Sequence, residues 1–410
     1  MTTTSDAGRS SWQLIRDPRF GSFILGKTLA FIGVWIHNVV AAVIAWEITH
    51  SATWVAIVSV VQFLPQILLA PIVGPMADRS SRGRQVAYGR VFCVAGSGGL
   101  GIWLWVTGID SIGIWPVLLM TFTVGVGFAV SGPAMQAMVP DLVEPAEVGR
   151  AVGLDSVPTM LGRAAGPAIG ALLLAFAGAA AALAVATIGH LAFGVIGVLL
   201  ARDELPRETS PDGGGFIDGL RYIRRNPVVI LLLLGVTGVG MGADPVVTLA
   251  PALAHDLGGS NALVGYFGSA FGVGAVLGSV VSATVGGASR PTSAPVAGLA
   301  VMGAGIAVIP LMPTALGVCA AFLVSGVGFT VALAGCTTSL HRVVPTSMRG
   351  RVMSLWVIAF MGTRPVAAIV NGVLADAFGT AVALVAMGLF VAATGALCLP
   401  RVLQHVSERR

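Results

Sequence analysis

The feature that most narrows what this chain can fold into is a train of long apolar runs separated by short polar breaks. A helix needs about 20 mostly apolar residues to cross a bilayer. Breaks at charges, Pro/Gly pairs and polar clusters leave twelve such runs, near residues 20–47, 52–73, 86–107, 112–136, 149–176, 179–201, 226–254, 261–286, 292–312, 315–338, 350–374 and 377–400. Only 10% of the 410 residues are charged, whereas a soluble chain carries about a quarter. So few charges cannot clothe a water-facing surface, and the solvent that suits the chain is a lipid bilayer. Residues 1–19 are polar, and the apolar run behind them is too long for a signal-peptide core, so they read as an uncleaved cytoplasmic arm.

Charge placement gives these spans a direction. Of 23 Lys and Arg residues, all but Lys27, Arg163 and Arg364 fall in the N-terminal arm, the even-numbered connections, their flanks or the C-terminal tail. By the positive-inside rule both termini and the central connection face the cytoplasm, and the expected location is the inner (cytoplasmic) membrane. The same reasoning removes nucleic acid as a partner, because the net charge of +5 sits in short topogenic loops rather than on one face. The four cysteines, Cys93, Cys319, Cys336 and Cys398, lie in apolar stretches without metal-ligand spacing and read as small packing residues, so no metal site is expected.

One long polar connection divides the chain into an N-terminal six-helix bundle (1–201), a central loop (202–225) and a C-terminal six-helix bundle (226–410). The halves repeat. Gly127-Phe128 recurs as Gly328-Phe329, Gly149-Arg150 as Gly350-Arg351 and Arg163 as Arg364, each pair 201 residues apart. The predicted fold is therefore an all-α membrane protein of twelve transmembrane helices, two six-helix bundles related by pseudo-two-fold symmetry. Parallel repeats of this kind carry a substrate path at their interface in one class of secondary transporters.

Two motifs sharpen this. After span 2 come Gly74, Asp78, Arg79, Arg82, Gly83 and Arg84, a tight turn with an acid and arginines that offer charge-assisted bonds to neighbouring helix ends. The loop resembles the signature of the major facilitator superfamily, with Gly83 inserted into the basic cluster. The resemblance implies a cytoplasmic latch between the two halves. In span 5, Gly153, Gly162, Gly166, Pro167 and Gly170 are similar to that superfamily's antiporter motif, with Ala171 replacing its last glycine. Gly162, Gly166 and Gly170 recur every fourth residue and invite a close helix partner, for which Gly268 and Gly272 of span 8 have matching spacing. Further stretches, Gly33 to Ile36, Gly132 to Ala151 and Val344 to Arg351, resemble the branch of drug and siderophore exporters, of enterobactin-exporter type. Val34 stands where many relatives have aspartate and His37 near a common glutamine, so the coupling residues of relatives do not transfer.

Ionisable residues within spans are costly and mark functional positions by default. At about 1.5 Å per residue, Arg163 and Arg364 lie roughly 20 Å in from Arg150 and Arg351, near the midplane. Both are candidates for contact with substrate, Arg163 with a structural role as the equal alternative. Asp244 lies about 28 Å along span 7 from Arg225. Pro245 interrupts the helix there, which predicts an open carbonyl beside the carboxylate. Asp244 is the candidate proton-coupling acid and His37 the second candidate, against the plainer reading of a satisfied packing histidine. Lys27 either lines the cavity, snorkels or pairs with Asp155, and Trp35 and Trp356 lie deep enough to line a cavity.

These readings predict a proton-coupled antiporter that exports a medium-sized organic compound, siderophore-like or an anionic metabolite, by alternating access. Multidrug efflux of lipophilic cations is the alternative, and a non-transporting receptor or an embedded enzyme the remote one. Nothing in the spans pairs a nucleophile with a base, so no enzyme is expected. The expected partners are a small-molecule substrate and the bilayer, the expected assembly a monomer, and the expected energy source a proton gradient without a cofactor.

Overall fold

The computed structural model describes residues 9–109, 111–202, 216–285 and 293–407; within its helices the side chains of residues 71, 78, 79, 216–219, 285, 346, 347, 350 and 398–407 stand outside that description. Among the described residues every regular element is helical. That is what lipid demands of a chain without a closed barrel, since a helix satisfies its backbone within itself.

Eleven helical stretches are long and apolar enough to cross a bilayer, and one of them, Pro145–Ala201, runs for 57 residues. That is more than twice the length a bilayer needs. At Gly178 the backbone turns through φ 83° and ψ 170°, a conformation that glycine adopts at little cost, so this stretch holds two spans and the total among the described residues is twelve. Gly379 makes the corresponding turn before the last span, with φ 91° and ψ 155°. Gly178 and Gly379 are also 201 residues apart. The duplication thus extends to the hinges between helices.

Spans 1 to 4 are Pro18–Thr49, Ala52–Arg79, Arg82–Thr107 and Ile114–Met138, and spans 5 and 6 share Val157–Ala201. Span 7 is Pro227–Gly242 continued by Pro245–Thr248, and spans 8 to 10 are Ala262–Val285, Ala294–Val308 and Ala315–Val343. Span 11 joins Thr346–Val357 to Arg364–Phe378 through a widened π-helical turn, Ile358–Gly362, and span 12 is Thr380–Ser407. Side-chain caps start several of them. Ser81 accepts the Arg84 N–H at 3.2 Å and Thr314 the Gly317 N–H at 3.2 Å.

The chain packs as two compact units, residues 1–41 with 64–210 and residues 42–63 with 211–410. Residues 42–63, which the sequence assigns to the first bundle, join the second unit. Asp376 caps span 2 by accepting the N–H groups of Ala52 at 2.8 Å and Thr53 at 3.0 Å, a favourable place for a negative charge. Asn261 donates to Glu47 at 2.9 Å, and a Cβ on Gly372 would lie 2.8 Å from the Ala52 carbonyl oxygen. Within each unit, small residues bring helices together in the absence of a hydrophobic driving force. A Cβ on Gly127 would come within 2.5 Å of the Gly89 carbonyl oxygen, and one on its repeat mate Gly328 within 2.7 Å of that of Gly298.

Candidate functional site

In the second unit the polar centre is built around the break in span 7. Pro245 has no N–H to offer the carbonyl of Met241, and the Asp244 N–H takes that place at 3.1 Å. The Met241 carbonyl, predicted from the sequence to be open, is therefore filled from one residue nearer along the chain. Asp244 is 3% exposed. Its Oδ1 accepts from Thr248 Oγ1 at 3.0 Å, one turn along the same helix, and its Oδ2 accepts from Asn371 Nδ2 of span 11 at 2.7 Å. A carboxylate this deep is tolerated only with such donors around it.

Arg364 opens the second half of span 11, directly after the widened turn, and is 5% exposed. Its guanidinium lies 4.6 Å from the ring centroid of Phe63, and its charge acts on Asp244. The sequence singles out Arg364 and Asp244 separately, and the structure brings them into one polar centre. Trp356 stacks on Phe360 at 5.3 Å, and Phe360 leads on to Phe329 at 6.1 Å and Phe271 at 5.4 Å. The indole N–H of Trp356 is buried without an acceptor among the described residues. A cavity of about 340 Å³ between spans 8, 9 and 10 is lined by small and apolar residues with Ser282 and Thr338, and none of these charged residues lines it.

In the first unit several in-span polar groups are tied to one another. Lys27 is buried and paired with Asp155, one of the alternatives open for it in the sequence. His37 is fully buried, with Nε2 3.2 Å from Thr121 Oγ1 and Nδ1 3.1 Å from Ser97 Oγ. Both ring nitrogens are thus engaged by hydroxyls of spans 3 and 4, the setting of a packing histidine. Arg163 is half-buried, its guanidinium 5.7 Å from the Trp35 ring centroid. Arg90 requires a correction. The sequence counts it with the flanking charges, yet it is 1% exposed inside span 3, held over Phe128 at 4.5 Å and Phe193 at 5.4 Å with its Nη2 on Ser131 Oγ.

Within the first unit, the antiporter-motif face packs on span 1. A Cβ on Gly162 would meet Phe31 Cβ at 2.7 Å, one on Gly166 Trp35 Cβ at 2.5 Å, and one on Gly170 the Cα of Ile36 at 3.1 Å. The side chains of Phe31 and Trp35 and the backbone of Ile36 occupy the glycine notches. Pro167 is buried in the same contact region, and Gly153 stands in open space on the short helix Val148–Asp155.

At the loop after span 2, the side chains of Asp78 and Arg79 lie outside the described residues. Gly74 has no neighbour against it, and Arg84 is exposed. Arg82 donates to the Ala137 carbonyl at the end of span 4 and pairs with Asp141 at 2.7 Å, the helix-end bonding that the motif's chemistry predicts. Nearby, Arg9 of the arm donates to buried Glu147 through its backbone N–H at 2.7 Å and its Nη2 at 2.8 Å, and to Asp17 at 2.7 Å. These carboxylates hold the Arg9 guanidinium above its ordinary range. Burial lifts the Asp17 carboxyl, but the N–H groups of Phe20 and Arg19 and the Arg9 guanidinium outweigh it, leaving the group below the usual carboxylate range.

A family model of transmembrane secretion effectors matches residues 9–409. This chain belongs to that family of the major facilitator superfamily. Among curated relatives of this major facilitator protein, macrolide efflux protein A of Streptococcus pyogenes is 23% identical over 381 residues, 90% of this chain and 91% of that one. The enterobactin exporter of Escherichia coli O1:K1 is 29% identical over 351 residues, 83% of this chain and 81% of that one. Two solved structures share the fold. The bacterial homologue of the human lysosomal transporter Spinster, in its inward-facing unoccupied form, aligns with a TM-score of 0.74 at 16% identity over 95% of this chain and 98% of that one. The D-xylose–proton symporter aligns with a TM-score of 0.72 at 14% identity over 93% and 98%. The protein is thus a multi-pass membrane transporter and not an enzyme, and major facilitator transporters use no cofactor.

Several polar residues of this major facilitator chain escape a reading by sequence. Asn371 is the clearest. It lies seven residues after Arg364, two helical turns along the same face, and that spacing was the available signal. Gln85, which donates to the carbonyls of Val73 at 3.0 Å and Val130 at 2.9 Å, left no such signal.

Proposed function

We propose that this transporter is a proton-coupled antiporter of the inner membrane, with both termini cytoplasmic, that exports a medium-sized anionic or siderophore-like compound by alternating access as a monomer. The reading rests above all on Asp244, a buried carboxylate at a helix break, held by neutral donors and under the charge of a buried arginine. A carboxyl so placed is expensive to charge, and a change of surroundings between inward- and outward-facing states makes it take up a proton in one and release it in the other. Arg364 attracts the acidic group of the substrate and His37 is the second titratable candidate. Lys27, Arg163, Trp35 and Trp356 are candidate contacts of the substrate path. Gly74, Asp78, Arg79, Arg82 and Arg84 form the cytoplasmic latch, and Gly153, Gly162, Gly166, Pro167 and Gly170 the antiporter motif. Export is supported by the names of two relatives, an efflux protein and an exporter.

The test is Asp244→Asn in sealed proteoliposomes. Accumulation driven by a pH difference is lost, while exchange of substrate at equal pH continues. Accumulation against a gradient in the Asn variant would remove Asp244 from this role and turn attention to His37.

A second reading, efflux of lipophilic compounds, draws on the aromatic run from Trp356 through Phe360 to Phe271. Arg364→Ala separates the two. Export of an anionic substrate falls at least tenfold under the first reading, and export of lipophilic cations persists or rises under the second.

A further inference from the structure

A carboxyl that exchanges a proton in a buried place needs different partners in its two states. The carboxylate accepts hydrogen bonds, whereas the neutral acid has one to donate and needs an acceptor. Around Asp244, Arg364 is a donor only. Thr248 sits on the same helix and travels with Asp244, serving Oδ1. Asn371 is different. It reaches Oδ2 from span 11 at 2.7 Å, it is fully buried, and its own Oδ1 is buried with no partner among the described residues.

An amide can present either a donor or an acceptor at one point, by a half-turn about its Cβ–Cγ bond. Among the described residues, no other side chain bonded to Asp244 from a second helix has that property. Spans 8, 9, 10 and 12 pack along span 7, and their stretches 262–284, 294–311, 315–338 and 380–397 contain no Asp, Glu, Lys, Arg or His. The charged group acting on Asp244 is Arg364.

We infer that Asn371 is the positioning residue for proton coupling, donating through Nδ2 to the charged Asp244 and, after turning, accepting through Oδ1 from the protonated one. This rests on Asp244 as the coupling acid. Because the bond joins span 7 to span 11, turning the amide reports the protonation state of one helix to another. In this role the residue acts through Asp244.

The test uses the purified full chain and two readouts. Infrared difference spectra between acid and alkaline pH isolate the carbonyl band of protonated Asp244, identified by its loss in Asp244→Asn. In Asn371→Leu that band moves, because its acceptor is gone. The acid midpoint of pH-driven transport in proteoliposomes rises by about one pH unit, tenfold in proton activity, because the lost charge-assisted bond to the carboxylate outweighs the lost bond to the neutral acid. Asn371→Asp, which matches Asn in size and so guards against misfolding of the Leu variant, moves the midpoint the same way and further, since two adjacent carboxyls share one proton. An unmoved band and midpoint in both variants, with Asp244→Asn still losing coupling, would overturn the role of Asn371 alone. Retention of both band and coupling in Asp244→Asn would overturn the coupling assignment and this inference with it.

Discussion

Arg163 and Arg364 stand 201 residues apart, and so do Gly170 and Asn371. In the first unit Gly170 offers no side chain, and span 5 closes on span 1 so tightly that an added Cβ would lie 3.1 Å from the Ile36 Cα. In the second unit the same register carries an amide, which bonds the Asp244 carboxylate of span 7 at 2.7 Å. One contact is dry and held by close packing. The other is polar, and is held by a bond whose strength depends on a proton. The flanking arginines differ likewise, with Arg163 half-buried against Trp35 and Arg364 buried against Phe63, its charge acting on Asp244. Duplicated helices keep their register because packing geometry is set by backbone shape. The chemistry at each position is free to diverge, so one half supplies a rigid contact and the other a titratable one.

The sharpest way to break this comparison is to give the first half what the second has. Gly170→Asn forces an amide against Ile36 where no carboxylate answers it, combining overpacking with an unsatisfied polar group, a loss of about 4 kcal/mol. Thermal unfolding of the purified protein reads it, and an unchanged midpoint would mean that the dry contact tolerates polarity. A smaller effect is expected at the charged pair of the same unit. Lys27→Met leaves Asp155 alone at 19% exposure, a loss of about 2 kcal/mol, below that for a fully enclosed pair because water still reaches the carboxylate. The double variant Lys27→Met/Asp155→Leu recovers most of this, and failure to recover would show that the pair does more than neutralise itself. The smallest effect lies outside the membrane, at Asp17. Because its folded carboxyl is depressed, the stability it lends the arm is complete above the ordinary Asp range near about 4 and is lost only as pH falls below it. Protease sensitivity of the arm should therefore stay constant from neutral pH to about 5 and rise in stronger acid, and a rise near neutrality would assign the docking to another group.

Much of this molecule is legible in its sequence, and for identifiable reasons. Span positions follow from lipid's intolerance of charge, and each predicted run finds its helix, including spans 5 and 6 on either side of Gly178. The loop chemistry of Arg82 was equally readable, since a guanidinium beside a helix end has few other uses. Partner choice was not. The four-residue spacing of Gly162, Gly166 and Gly170 states that something packs closely there and leaves open which helix, and Phe31, Trp35 and Ile36 of span 1 fill the notches. Arg90 shows the same gap in depth, since eight residues of helix past Arg82 carry a side chain from the membrane surface into a Phe128–Phe193 sandwich.

The sequence by itself determined the solvent, the count of spans, the duplication with its 201-residue period, and the short set of charges that lipid makes expensive. These are properties of composition and spacing along one dimension, read against the cost of placing polar groups in hydrocarbon. Only the tertiary structure decided that Asp244 meets Asn371 and lies near Arg364, that Lys27 is spent on Asp155, that His37 rests between two hydroxyls, and that residues 42–63 pack with the second unit. Helices in lipid have little hydrophobic drive to choose a neighbour, so the choice falls to the fit of small notches, side-chain knobs and hydrogen bonds, which exists only once the helices are side by side.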